Sequence, residues 1–188
     1  MRTHIVATPR SGGTALAHYL SEKHNVEFYN EPYQPDYLDR QVDVYGTKLG
    51  GKILHKYYVA HSIISQYLSY NEHKADEQVI ILERKDKWAQ LISYIIMWSQ
   101  VHISGIHNYS FKEPITIQAE DMHIEMMFKE WKLFDFFKSK KVYQQHLYYE
   151  DLVIPSTTYI KNSGYDNIII KNIDYLAQRY NDYLSTLT

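Results

Sequence analysis

Thr8-Pro9-Arg10-Ser11-Gly12-Gly13-Thr14 is the segment of this chain best suited to hold an anion. Two adjacent glycines let the backbone turn with its N–H groups facing inward. A helix starting just after them adds unpaired N–H donors and the positive end of its dipole. Arg10 brings a fork of donors matched to phosphate or sulfate oxygens, and Ser11 and Thr14 bring hydroxyls. Other cations of the first half, Lys48, Lys52, Lys56, Arg84, Lys85 and Lys87, lie near expected turns and could enlarge a local anion site. Two better-known phosphate loops are excluded. The nucleotide-triphosphatase loop needs a lysine directly before its hydroxyl residue, where Gly13 stands, and the dinucleotide fingerprint Gly-x-Gly-x-x-Gly does not occur.

The elements that must carry this loop follow from apolar periodicity. Residues 4–8, 26–29, 79–82 and 142–148 read as strands, the first stopped by Pro9. Residues 14–23, 57–70, 117–137 and 172–184 have helical spacing, and a further helix capped by Asp86 runs to about Gln100. Residues 103–116 read as a loop. Strands alternating with helices predict an α/β fold, a three-layer α/β/α arrangement with a mostly parallel central sheet. The strand-to-helix turns at 9–13, 30–33 and 84–86 should then converge on one edge of the sheet.

Composition sets the outer bounds. At 188 residues the chain fits one domain, 1–188. It has no cysteine, which excludes disulfides, thiolate metal sites and a cysteine nucleophile. A formal charge of −2 gives no general attraction to nucleic acid or anionic membrane. No apolar run approaches a membrane span and no leader peptide is expected, so a soluble, cytoplasmic protein is the expectation. Ten histidines lack His-Glu-x-x-His, and His18/His24 and His102/His107 do not share a helical face, so no metal site is expected. Met126, Met127 and Phe128 read as core.

The loop 8–14 resembles the 5′-phosphosulfate loop of the sulfotransferases that use 3′-phosphoadenosine 5′-phosphosulfate. That loop reads Pro-Lys/Arg-Ser/Ala-Gly-Thr/Ser-Thr and then an aromatic residue or leucine; here Gly13 replaces a hydroxyl residue and Ala15 the large apolar one. Residues 82–90 with Ser93-Tyr94 are similar to the bacterial branch, and the resemblance implies that Arg84 and Ser93 hold the 3′-phosphate. Glu31, 21 residues after Arg10, resembles the glutamate base of the tyrosylprotein branch, whereas the small-molecule branch uses a histidine. Lys48 looks like the lysine of a Gly-x-Lys element that assists transfer, with Lys52 and His55 as substitutes. Residues 147–152 and 165–176 resemble the family's closing segments, with Glu150 and Asp151 structural. Residues 100–140 show no resemblance and should shape the acceptor site.

The resemblance implies a P-loop-like fold and in-line transfer of a sulfuryl group to an acceptor hydroxyl or amine, leaving adenosine 3′,5′-bisphosphate. Glu31 takes the proton; the loop N–H groups, Arg10 and Lys48 stabilise the departing charge; no metal is needed. The acceptor, a small molecule, glycan or peptide, is left open. Two rival readings use the same fold: a small-molecule or nucleoside kinase, which would need magnesium and a loop lysine, and an inert nucleotide-binding module.

Overall fold

A computed structural model describes residues 2–32, 57–69, 77–104, 114–153 and 168–187. Lys48, Lys52 and His55 lie outside these residues. The chain divides into two compact units, residues 1–85 with 130–157, and residues 86–129 with 158–188.

The first unit is built on a five-stranded, wholly parallel sheet. Its strands are β1 (Arg2–Ala7), β2 (Glu27–Asn30), β3 (Tyr58–Ile63), β4 (Gln78–Glu83) and, after β5 (Ile115–Ile117) of the other unit, β6 (Gln145–Tyr148). The spatial order is β2-β3-β1-β4-β6. β1 is central and buried from Thr3 to Ala7, the near-continuous apolar strand expected where both faces are covered.

Side chains alternate between those faces. Ile5, Ala7, Val59, Ile80 and Leu82 pack with Leu16 and Ala17 of α1 (Gly13–His24). Val6, Val79 and Ile81 pack on the opposite face with Ile64 and Tyr67 of α2 (Ile64–Ser69). Phe134 and Phe137 join them from the end of α4 (Asp121–Ser139). Helices on both faces of a parallel sheet make the α/β fold with three layers that the alternation of strands and helices predicts.

One expected helix, residues 57–70, is a strand over its first half. Residues 58–63 form β3, and only residues 64–69 are helical. β3 lies between β1 and β2 and is buried on both faces, so it shows no alternation of polar and apolar residues. Its apolar run mimicked a helical stripe when joined to the short helix that follows.

The second unit holds α3 (Lys87–Ser104), residues 121–129 of α4, the parallel pair β5 (Ile115–Ile117) and β7 (Ile168–Ile170), and α5 (Ile173–Ser185). Asp86 caps α3 as expected, its carboxylate accepting from the Ala89 N–H at 2.8 Å. The Asn172 side-chain amide pairs with both backbone groups of Ala119 at 2.9 Å, prolonging the β5–β7 ladder. Ile117 therefore belongs to a strand, and α4 starts four residues later than the sequence suggests. Phe128 stacks on Tyr183, while Met126 is exposed rather than core. Among the described residues no helix is long and apolar enough to cross a membrane.

Candidate functional site

In an open parallel sheet, ligands bind beyond the carboxyl ends of the strands, where neighbouring strands send their connections in opposite directions. β1 leads through α1 to β2 on one side; β4, its neighbour, leads eventually to β6 on the other. That switch point lies between β1 and β4. Two of the expected anion-binding segments emerge there: the loop 8–14 from β1 and Arg84 from β4.

The two segments touch. The Arg84 Nη1 donates to the Arg10 carbonyl oxygen at 3.4 Å. Arg10 and Gly12 both have positive φ, 61° and 79°, on either side of Ser11. Alternating backbone hand of this kind turns successive N–H groups to one side, forming a concavity for anions. The loop feeds α1, whose N-cap Gly12 makes no side-chain cap bond and whose first turn has no acidic residue. Its first N–H groups thus face a position suited to negative charge.

Two expected hydroxyl contacts are differently employed. Ser11 is buried and its hydroxyl lies 2.8 Å from the Thr8 hydroxyl, tying the loop to its own base. Thr14 Oγ1 donates to Asn30 Oδ1 at 3.3 Å and lies 3.3 Å from His61 Nδ1. His61 Nδ1 is itself 3.1 Å from Asn30 Oδ1. Asn30 Oδ1 is an acceptor, so the His61 proton sits on Nδ1 and the lone pair on Nε2. Burial first, and then the neighbouring His4, push the His61 imidazole down to about 3. It is neutral at physiological pH.

His61 is a site residue that the sequence reading missed. In register it lies opposite Ile5 on β1 and Asn30 on β2, a placement that the isolated stretch Val59-Ala60-His61-Ser62 does not announce. It also explains why the loop carries Gly13. A Cβ on Gly13 would fall 2.3 Å from both His61 Cδ2 and Nε2. Gly13→Ser, which restores a hydroxyl to the loop, should therefore destabilise the fold by about 1–3 kcal/mol, as overpacking does. Thermal unfolding checks this, and the same change in a His61→Ala background should cost less. A Gly13→Ser protein as stable as the native chain would contradict the crowding.

Glu31 follows β2 directly. Its N–H donates to the His61 carbonyl at 2.7 Å, and its carboxylate accepts from Gln66 Nε2 at 3.0 Å. Its φ is +47°. Four non-glycine residues among those described have left-handed φ. Asn25 and Lys141 follow helix ends; the other two are Arg10 and Glu31. Such backbone strain, on the order of 1–3 kcal/mol for each residue, collects at functional sites.

Behind Arg84, the 3-10 turn Tyr149–Asp151 braces the end of β4. Glu150 accepts from the Lys85 N–H at 2.9 Å and lies 3.7 Å from Arg84 Nε. Asp151 binds Lys85 Nζ at 2.6 and 2.8 Å, and that hydrogen bond raises the Lys85 pKa. Both acids thus tie this turn to the end of β4. Ser93 is buried on α3 in the second unit. The first unit thus gathers Arg10, Gly12, Gly13, Thr14, Glu31 and Arg84 along its carboxyl edge, with His61 among them. No protein-family model matches the sequence, and no curated protein matches it.

Proposed function

We propose that this chain is a sulfotransferase that binds 3′-phosphoadenosine 5′-phosphosulfate and passes its sulfuryl group to an acceptor hydroxyl or amine. The observation that carries the reading is the meeting of Arg84 with the Arg10 backbone at the switch point between β1 and β4. A nucleotide with phosphates at both ends needs two cationic positions, on rigid elements, close enough for one ligand to engage both. The donor set also fits in kind: an uncapped helix end and two guanidinium residues suit phosphate and sulfate oxygens.

When bound, that cosubstrate supplies the group transferred, and adenosine 3′,5′-bisphosphate remains. The chain's own contribution divides among three places. Backbone N–H groups of Gly12 to Thr14 and the Arg10 side chain receive the 5′ end and offset charge there. Arg84 holds the 3′-phosphate. Ser93, its partner by sequence resemblance, lies on the other unit and is not needed for this assignment. Lys48 remains the sequence's candidate for neutralising charge at the moving group.

Glu31 is the group that takes the acceptor's proton. His61 lies in the same cluster, but an imidazole held near pKa 3 has little tendency to accept a proton at neutral pH. Its role is to orient Asn30 and Thr14 and to deliver its carbonyl to the Glu31 N–H. Gln66 in turn fixes the Glu31 carboxylate.

Calorimetric titration of the native protein with adenosine 3′,5′-bisphosphate and with ADP tests the assignment. The bisphosphate should bind at least about tenfold more tightly, a difference of about 1.4 kcal/mol. Equal affinity for the two nucleotides would overturn it.

A further inference from the structure

The phosphate loop and Arg84 share a support, the ring of Tyr149. A Cβ built on Gly12 would lie 2.4 Å from Tyr149 Cδ2 and 2.5 Å from Cε2. The loop backbone therefore rests on this ring more closely than any residue with a side chain allows. The Arg84 guanidinium carbon lies 5.5 Å from the centroid of the same ring, within cation–π range. Arg84 Nη1 then closes the circuit by donating to the Arg10 carbonyl.

Arg84 is poorly fixed by hydrogen bonds alone. Its Nε is buried without a hydrogen-bond partner, Glu150 standing 3.7 Å away, and the bond to Arg10 is long at 3.4 Å. The ring supplies the constraint that those bonds do not. Tyr149 is itself well anchored. It packs against the Ile5, Leu16 and Leu82 cluster, its carbonyl accepts from Leu152 N–H at 3.1 Å, and Glu150 beside it is tied to Lys85.

We propose that Tyr149 is a positioning residue for the nucleotide site: its ring holds the loop at Gly12 in the left-handed form and seats the Arg84 guanidinium. This rests on the nucleotide-binding reading above and deepens it, by making one side chain set both anion positions at once. The ring does the positioning, and the hydroxyl is not required.

Titration with adenosine 3′,5′-bisphosphate and ADP of the native chain, Y149F, Y149A, G12A and Y149A/G12A tests it. Y149F should bind both nucleotides as the native chain does. Y149A should bind the bisphosphate about tenfold more weakly and lose much of its preference over ADP, because Arg84 loses its seat. A purely structural role would lower both affinities alike. Gly12→Ala should cost far more binding and thermal stability in the native chain than in Y149A, where the ring is gone. The backbone strain at φ +79° is present in both backgrounds and cancels in that comparison.

Native-like binding by Y149A, a Y149F variant as impaired as Y149A, or an equal cost of Gly12→Ala in both backgrounds would overturn the proposal. Failure of the native chain to bind either nucleotide would instead overturn the functional reading. The role of the ring is then decided by the thermal-stability cycle and by amide hydrogen exchange at Ser11 to Thr14. Exchange should quicken in Y149A and not in Y149F, and unchanged exchange in Y149A would sink the role.

Discussion

Lowering the pH from neutrality should destabilise this fold through His61, by about 2 kcal/mol at pH 5 and by roughly 4–5 kcal/mol near pH 3. Burial, with the charge of His4 as the second cause, holds the folded imidazole near 3 against an ordinary value of 6.5. Between those values the unfolded chain binds a proton that the folded chain refuses. Protons therefore pull the equilibrium toward the unfolded state. The stability contributed by the neutral ring is complete above pH 6.5 and is lost as pH falls toward 3. Each unit of pH in that window costs about 1.4 kcal/mol, which gives the figure at pH 5. Urea unfolding of the native chain and of His61→Gln at pH 7.5 and pH 5 isolates the effect, because other titrating groups act in both proteins. The variant should be less stable at pH 7.5, and should then lose about 2 kcal/mol less than the native chain on going to pH 5. Equal losses in the two proteins would show that His61 is not held neutral by the fold.

The same residue marks the boundary of what local sequence signals reveal. β1, β4 and α1 were legible because each carries a local signal: an apolar run ended by Pro9, an apolar run ended by Arg84, and a double glycine opening a helix. The cap at Asp86 was equally plain. Those signals place Arg10 and Arg84 at the ends of their strands, and a parallel sheet then puts both on one edge. β3 was not legible, because a strand buried on both faces loses its period of two. β5 and β7, at three residues each, are too short to show any period. His61 lay hidden for a further reason. Its surroundings, Asn30, Thr14 and the bare Cα of Gly13, come from segments 31 to 48 positions away, and only the register of β3 against β1 and β2 brings them together. Gly13 likewise stands as a departure from the resembling loops until the imidazole beside it is seen.

Register also shows why strain gathers where it does. Glu31 leaves β2 with its N–H bound to the His61 carbonyl and its own backbone left-handed. Arg10 turns the same way two strands over and delivers its carbonyl to Arg84. In both places the left-handed residue is also hydrogen-bonded through its backbone to a neighbouring segment.

Replacing Arg84 by alanine should weaken adenosine 3′,5′-bisphosphate binding roughly 30- to 150-fold, about 2–3 kcal/mol, and change ADP affinity by less than about threefold. Hydrogen bonds to a charged phosphate carry that order of energy, and ADP has no 3′-phosphate to lose them. The discrimination between the two ligands is thus assigned to a single guanidinium at the end of β4. Arg84 also faces Glu150 and covers the Tyr149 ring, so its removal disturbs more than the ligand contact. Glu150 keeps its bond to the Lys85 N–H, and the ion pair it loses is a part-exposed one of small worth. Arg84→Lys separates charge from geometry. It keeps a cation but lacks the planar fork, and should recover some affinity without restoring the full preference. An equal loss for both nucleotides would mean that the alanine variant damages the loop through Tyr149 rather than losing a phosphate contact. An unchanged preference would remove the 3′-phosphate from Arg84 altogether, and with it the reason for placing a doubly phosphorylated nucleotide at this edge of the sheet.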